Sequence, residues 1–272
     1  MGIEMNFAGS YVYDDFKSQE TELEILKRQA SLAIQLEKTI LEESGLKQDM
    51  DILDMGCGCG LTSIHLAEYA KDGSVWGVDP SKVLISEAQK LKSEKHLPNS
   101  QFSIGNVYGP GLPDKKFDFI YCRLLFQHLG DPAQALLNIS SMLKPNGIVC
   151  ITDIDDSSLF LFPEPADLNS FIARSVKYQS LNGGDRYIGR KLPVYLGNAG
   201  FENIKTQIKA ISSFDIGLTG FLQTALDFRL EQLPENELKT AQRELSDIYT
   251  EMRKSFAWGA MGLFVATGNK IN

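Results

Sequence analysis

Residues 51 to 60 read Asp51-Ile52-Leu53-Asp54-Met55-Gly56-Cys57-Gly58-Cys59-Gly60, an apolar run interrupted by Asp54 and followed at once by three glycines spaced by one residue each. Ile52, Leu53 and Met55 suit a strand buried on both faces of a parallel sheet. Glycine admits φ > 0 and lets a ligand approach the main chain with no Cβ in the way. A helix beginning near Leu61 aims its free N–H groups at that ligand. The stretch predicts a strand, a ligand-binding turn and a helix, in that order.

Working outward, residues 74–79 (Ser-Val-Trp-Gly-Val-Asp) form a second buried strand, and its terminal acid, Asp79, lies 25 residues after Asp54. A carboxylate there accepts hydrogen bonds from both hydroxyls of a ribose. Its plainer use is to cap the helix that starts after Pro80, at Ser81. Further strands are expected over 101–104, 117–122, 148–153, from Phe201, and over 258–267, with amphipathic helices between them.

The Gly56-x-Gly58-x-Gly60 spacing is tighter than the G-x-G-x-x-G dinucleotide fingerprint. With the acid before it, the motif resembles the first motif of class I S-adenosylmethionine-dependent methyltransferases, in particular the ubiquinone-, menaquinone- and natural-product-type group that acts on small molecules. The run Arg123-Leu-Leu-Phe-Gln-His128-Leu129 resembles that group's fourth-strand motif, and Lys144-Pro145-Asn146-Gly147 resembles its Lys-Pro-Gly-Gly turn. Gly183 to Pro193 resembles a turn and helix start common in the same group. One departure stands at Gly105-Asn106-Val107, where the family pattern has an acid in place of Asn106. An amide still offers both an acceptor and a donor to adenine.

The resemblance implies an α/β, Rossmann-like, doubly wound sheet of seven strands, mostly parallel with an antiparallel last strand, plus a helical cap. It implies S-adenosyl-L-methionine as cofactor, bound by Tyr13, Gln29, Asp54, Gly56, Gly58, Gly60, Asp79, Pro80, Asn106, Val107 and Arg123. Plainer readings remain for several of these: Tyr13 on a surface loop, Gln29 on a solvated helix face, Arg123 paired with a structural acid. The reaction implied is methyl transfer to an oxygen or nitrogen, with carbon ranked behind them, of a small, largely apolar metabolite. His128 is the candidate catalytic base, because imidazole titrates near neutrality; it can equally bond backbone or cap the next helix. Two rivals are a nicotinamide oxidoreductase, which shares the βαβ unit, and a cofactor-binding protein without methyl transfer, guiding a cyclisation or regulating a partner.

Composition narrows the partners. Asp and Glu exceed Lys and Arg by 35 to 27, a formal net charge of −8, which disfavours nucleic acid. No apolar stretch reaches the length of a membrane span and no basic-then-apolar leader opens the chain, so a soluble cytoplasmic protein is expected. Cys57, Cys59, Cys122 and Cys150 read as small buried hydrophobes rather than zinc ligands or disulfides. Asp153, Asp155 and Asp156 cluster where the fifth strand ends, and solvation or helix capping is expected there ahead of a metal.

One methyltransferase domain is expected over 1–272. Residues 1–45 form a helical cover, with a helix from about Thr21 to Ser44 whose apolar positions include Leu23, Leu26, Ala30, Ala33, Leu36 and Ile40. Insertions at 157–181 and 214–256 are expected to roof an apolar acceptor. The alternative use of the second pair of helices is a dimer contact, so a homodimer stays open.

Overall fold

Apolar strands punctuated by glycine turns and amphipathic helices bury most surface as one sheet covered on both faces. The computed structural model describes residues 10, 13, 23, 37–112, 114–254 and 256–271. Gln29 and most of the expected amino-terminal helix lie outside the described residues. What is described of that helix, α1, covers residues 37–43. The chain continues through β1 (Asp51–Met55), α2 (Leu61–Tyr69), β2 (Ser74–Asp79), α3 (Lys82–Lys95), β3 (Ser100–Ile104), β4 (Phe117–Arg123), α4 (Pro132–Met142) and β5 (Leu143–Ile154). Then follow β6 (Phe160–Phe162), α5 (Leu168–Leu181), α6 (Leu192–Asn198), β7 (Phe201–Ser212), α7 (Ser213–Ile216), α8 (Leu218–Leu226), α9 (Glu235–Arg253) and β8 (Trp258–Lys270).

The strands run in the order β3-β2-β1-β4-β5-β8, and β7 pairs with β8. β1 to β5 are mutually parallel, whereas β8 is antiparallel to β5 and β7. Among the described residues the sheet has eight strands, not the expected seven. The addition is β6, three residues antiparallel to Trp258–Ala260. Ala260 pairs with both Phe160 and Ser212, and Leu263 with both Ile154 and Lys209, so β6 shares with β5 the edge of β8 opposite β7. In the sequence Phe160-Leu161-Phe162 reads as apolar lid. Its period-2 pattern, with Leu161 buried between two exposed phenylalanines, marks it as a strand. β5 also begins earlier than expected, at Leu143 rather than Ile148, because its register shifts between Phe117 and Phe119 and takes Lys144 to Gly147 into the strand, with Asn146 at φ 62°.

Alternation along the central strands sends Leu53, Met55, Ile120 and Cys122 to one face, against Leu136 and Ile139 of α4 and Leu192 and Leu196 of α6. Ile52, Val75, Phe119 and Tyr121 go to the other, against Ile40 and Leu41 of α1 and Leu66 and Ala67 of α2. All four cysteines are free and buried. A third apolar core is separate in composition: Leu161 and Phe171 join Phe221, Leu222, Ala225 and Leu226 of α8 and Ala241, Leu245, Ile248 and Met252 of α9. The two insertions thus pack on each other. Among the described residues no helix is long and apolar enough to cross a membrane.

Phe221 is fully buried at the centre of that third core. Phe221→Ala is expected to cost about 3–5 kcal/mol by cavity formation, read as a lowered urea midpoint.

Candidate active site

In an open parallel sheet the ligand crevice opens at the carboxyl ends of the strands where the strand order reverses. Here that point lies between β1 and β4. The chain leaves β1 through Gly56, Gly58 and Gly60 at φ 78°, 54° and 82°, a left-handed region that residues with a Cβ rarely enter. At Gly60 the neighbours also forbid a side chain, since a Cβ would stand 2.6 Å from the Ala88 Cβ. Gly58 is the opposite case: among the described residues nothing lies within 4 Å of where its Cβ would point. From below, the N–H groups of Gly56 and Cys57 donate to the Val78 carbonyl at 2.8 and 3.0 Å. Gly58 N–H donates to Asp79 Oδ2 at 3.0 Å. The amino terminus of α2, which starts on this turn, has no side-chain cap among the described residues.

Carboxylates surround the turn. Asp54 is 1% exposed and accepts from Ser63 Oγ at 2.5 Å. Burial pushes its carboxyl up to about 7, and the negative charges of Glu37 and Asp79 act in the same direction, while the Ser63 hydrogen bond and Arg123 oppose them. Asp79, also buried, accepts from Ser81 N–H at 3.0 Å through its other oxygen. Ser81, not Asp79, caps α3 by accepting from Leu84 N–H. The Arg123 guanidinium is paired with Glu37 of α1. Tyr13 is buried against Cys59 of the turn and Leu84 of α3.

At the end of β3, Asn106 is exposed and its Oδ1 accepts from the N–H groups of Tyr108 and Gly109, both at 2.9 Å. The oxygen expected to face an adenine amine is therefore engaged in a turn. Val107 is in the core and Pro80 is exposed.

After β4, Leu124 takes φ 50°, a strained conformation for a leucine, and turns the chain into the short 3₁₀ helix Phe126–His128. His128 is held by Ser10: Nδ1 and Ser10 Oγ lie 3.0 Å apart, and the His128 carbonyl accepts from Ser10 N–H at 2.9 Å. Burial, reinforced by the positive charge of Arg186, pushes the imidazole down to about 3. The ring is neutral through the neutral range, which makes it a poor proton acceptor.

Of the three aspartates at the end of β5, none is solvated, and Asp155 is a helix cap, accepting from Ser157 N–H at 3.1 Å at the start of the 3₁₀ helix Asp156–Ser158. Asp153, fully buried, accepts from the N–H groups of Gln127 and Ile154 at 3.1 and 2.8 Å, and burial pushes its carboxyl up to about 7. Asp155 is held by Arg190. Asp156 receives two guanidiniums: Arg186 Nε and Nη2 at 3.0 and 2.8 Å, and Arg229 Nη1 and Nη2 at 2.8 and 2.9 Å. Against a burial that would raise it, Arg229 and Arg186 hold the Asp156 carboxyl well below the usual range. Arg229 also donates to Ser175 Oγ of α5, and Arg186 to Gln127 Oε1 beside His128. One carboxylate at the sheet rim thus ties together the β4 loop, α5 and the segment joining α8 to α9.

The structure brings Tyr13, Asp54, the three glycines and Asp79 around one turn, and places Asn106, Arg123 and His128 on neighbouring strand ends. Sequence reading missed Glu37, Ser63 and Arg229, and quoted Arg186 only as part of a turn. Glu37 stands four residues after Ala33 and three before Ile40, on the buried stripe of α1, where a lone charge signals a buried partner. Arg229 sits similarly among Phe228, Leu230 and Leu233.

A doubly wound sheet with an open glycine turn at its reversal point defines a Rossmann-like protein that binds a nucleotide-type cofactor. Residues 46–192 match the family described as "Methyltransferase domain", and the chain belongs to that family, whose cofactor is S-adenosylmethionine. An uncharacterized methyltransferase of Schizosaccharomyces pombe is 32% identical over 154 residues, covering 54% of this chain and 55% of that protein. The ubiquinone biosynthesis O-methyltransferase of Pasteurella multocida is 32% identical over 114 residues, 38% of this chain and 46% of that one. The chain spans about half the length of these curated relatives. The crystal structure of the YcgJ protein of Bacillus subtilis superposes with a TM-score of 0.59 at 17% identity, covering 86% of this chain and 97% of that one.

Asp156→Asn leaves two buried guanidiniums without their anion. A loss of about 3–5 kcal/mol is expected at neutral pH in urea unfolding. The carboxylate's contribution is complete above the unfolded value of about 3.9 and disappears as pH falls through the depressed folded value. The gap between wild type and variant should therefore narrow in acid.

Proposed function

We propose that this chain binds S-adenosylmethionine at the Gly56–Gly60 turn and transfers its methyl group to an oxygen or nitrogen of a small, largely apolar acceptor held under the α5, α8 and α9 cap. The observation that carries the reading is the space over Gly58, open among the described residues and flanked by a buried acid at the end of β2. That is the environment an amino-acid and ribose moiety requires: main chain approachable without a Cβ, and a carboxylate for paired hydroxyls.

Each residue has a role in this reading. Asp79, at the end of β2, accepts from the ribose hydroxyls, a carboxylate's two oxygens offering several acceptor sites. Asn106 reaches adenine through its amide nitrogen, because its oxygen serves the turn. Val107 and Pro80 wall the adenine side, and Tyr13 covers the turn. Arg123 is committed to Glu37, so its main-chain carbonyl rather than its guanidinium serves the ligand's amino-acid end. When bound, the cofactor supplies an electrophilic methyl on a sulfonium; the chain's task is alignment and exclusion of water. His128, neutral and tethered to Ser10, orients the acceptor rather than taking its proton.

Support for a small apolar acceptor comes from the Phe- and Leu-rich cap bolted to the β4 and β5 rim through Asp156, and from the acidic balance of the chain. The O-methyltransferase among the relatives supports an oxygen nucleophile. Incubating the chain with methyl-labelled S-adenosylmethionine and a metabolite extract, then identifying labelled products by mass spectrometry, tests the reading; intact cofactor after incubation with every fraction would count against transfer.

Asp79→Ala should weaken S-adenosylmethionine binding by about 1–3 kcal/mol in titration calorimetry. His128→Ala should leave that affinity unchanged and lower turnover with the identified acceptor. The wild-type rate profile should carry no limb near pH 6 to 7 that the variant lacks, since this imidazole does not titrate there.

A further inference from the structure

Asp54 has the surroundings of a carboxyl group that is costly to ionise. It is 1% exposed at the carboxyl end of β1, and one hydroxyl, Ser63 Oγ of α2, donates to it at 2.5 Å. Among the described residues, the charges that reach it come from three other elements: Glu37 of α1, Arg123 of β4 and Asp79 of β2. Glu37 and Arg123 form an ion pair with each other, so their charges largely cancel and Asp79 remains as a nearby anion. The thiols of Cys57 and Cys122, which also border it, are pushed up by burial and stay neutral. An isolated acid in such a place keeps its proton until positive charge arrives.

We propose that Asp54 carries a proton in the empty site and releases it when a cationic ligand occupies the glycine turn, which makes the site's preference for the sulfonium cofactor over its neutral thioether product rise with pH. This rests on the reading of the turn as the S-adenosylmethionine site. The sulfonium cofactor carries one more positive charge than S-adenosylhomocysteine, and the two share every other group. Binding of the charged form offsets the cost of ionising Asp54, and the proton passes to the buffer. Once the methyl group has left, the sulfur is neutral, Asp54 takes up a proton again, and the attraction that held the ligand is gone. The assignment makes Asp54 a specificity-determining residue for the charge on the ligand's sulfur. Its raised value of about 7 places the effect in the neutral range.

Titration calorimetry on the full chain, with S-adenosylmethionine and with S-adenosylhomocysteine, in buffers of different ionisation enthalpy between about pH 6 and about pH 8 reads the protons released. The ligands' own α-amino groups titrate near this window, so the comparison that decides is wild type against Asp54→Asn. In wild type, more protons should leave with the sulfonium than with the thioether, and the affinity ratio of the two should rise on the order of tenfold across the window. In Asp54→Asn that rise should vanish. Two further variants move the midpoint in opposite directions. Ser63→Ala removes the hydrogen bond to the ionised form and shifts it upward; Glu37→Gln removes a neighbouring anion and shifts it downward. A ratio independent of pH in wild type, or the same pH dependence in Asp54→Asn, overturns the proposal. Failure of both nucleosides to bind wild type is a different result: it removes the assignment of the turn itself and this inference with it.

Discussion

The passage from β1 into α2 constrains everything around it. Three residues there hold positive φ, and the last of them faces the Ala88 Cβ so closely that a methyl group would collide. Only glycine satisfies both conditions, and only a turn of this shape lets α2 lie against the sheet while its first N–H groups face the crevice. The turn is not self-supporting. Val78 and Asp79 of β2 accept hydrogen bonds from it, so β2 must pair in register beside β1 for the turn to keep its form.

Charge at the strand ends follows the same dependence on neighbours. Asp54 and Asp156 are the same residue type at the same end of one sheet, and both are buried. Two guanidiniums hold one far below its ordinary range, whereas among the described residues the arginine near the other is already paired with Glu37, and that carboxyl stays raised to about 7. The difference lies in the number of uncommitted cations within reach. The Asp156 cluster is fully hydrogen-bonded, and such a buried network favours one arrangement over alternatives. It is also where the cap meets the sheet: Arg229 comes from the segment joining α8 to α9, Arg186 from the turn after α5, and Gln127 from the loop that carries His128. The unit formed by α5, α8 and α9, with an apolar core of its own, is thereby fixed to the sheet rim by a few polar contacts.

Much of this was legible in the sequence, and for local reasons. The glycine spacing after Ile52–Met55, the acids at 54 and 79, and the alternation of apolar strands and amphipathic helices each express a requirement met by adjacent residues, so β1 to β5 and their helices could be placed before any coordinates. What tertiary structure alone decided involves partners far apart in the chain. Ser10 meets His128 across 118 positions, Glu37 meets Arg123 across 86, and Arg229 meets Asp156 across 73. No local pattern specifies such pairs, because an ion pair or a buried hydrogen bond depends on which groups folding leaves without water. Hence the sequence showed that an acid stands at the end of β1, an acid cluster at the end of β5 and a histidine after β4. Whether each is charged, and what it can hold, was decided by the side chains that the fold brought against it.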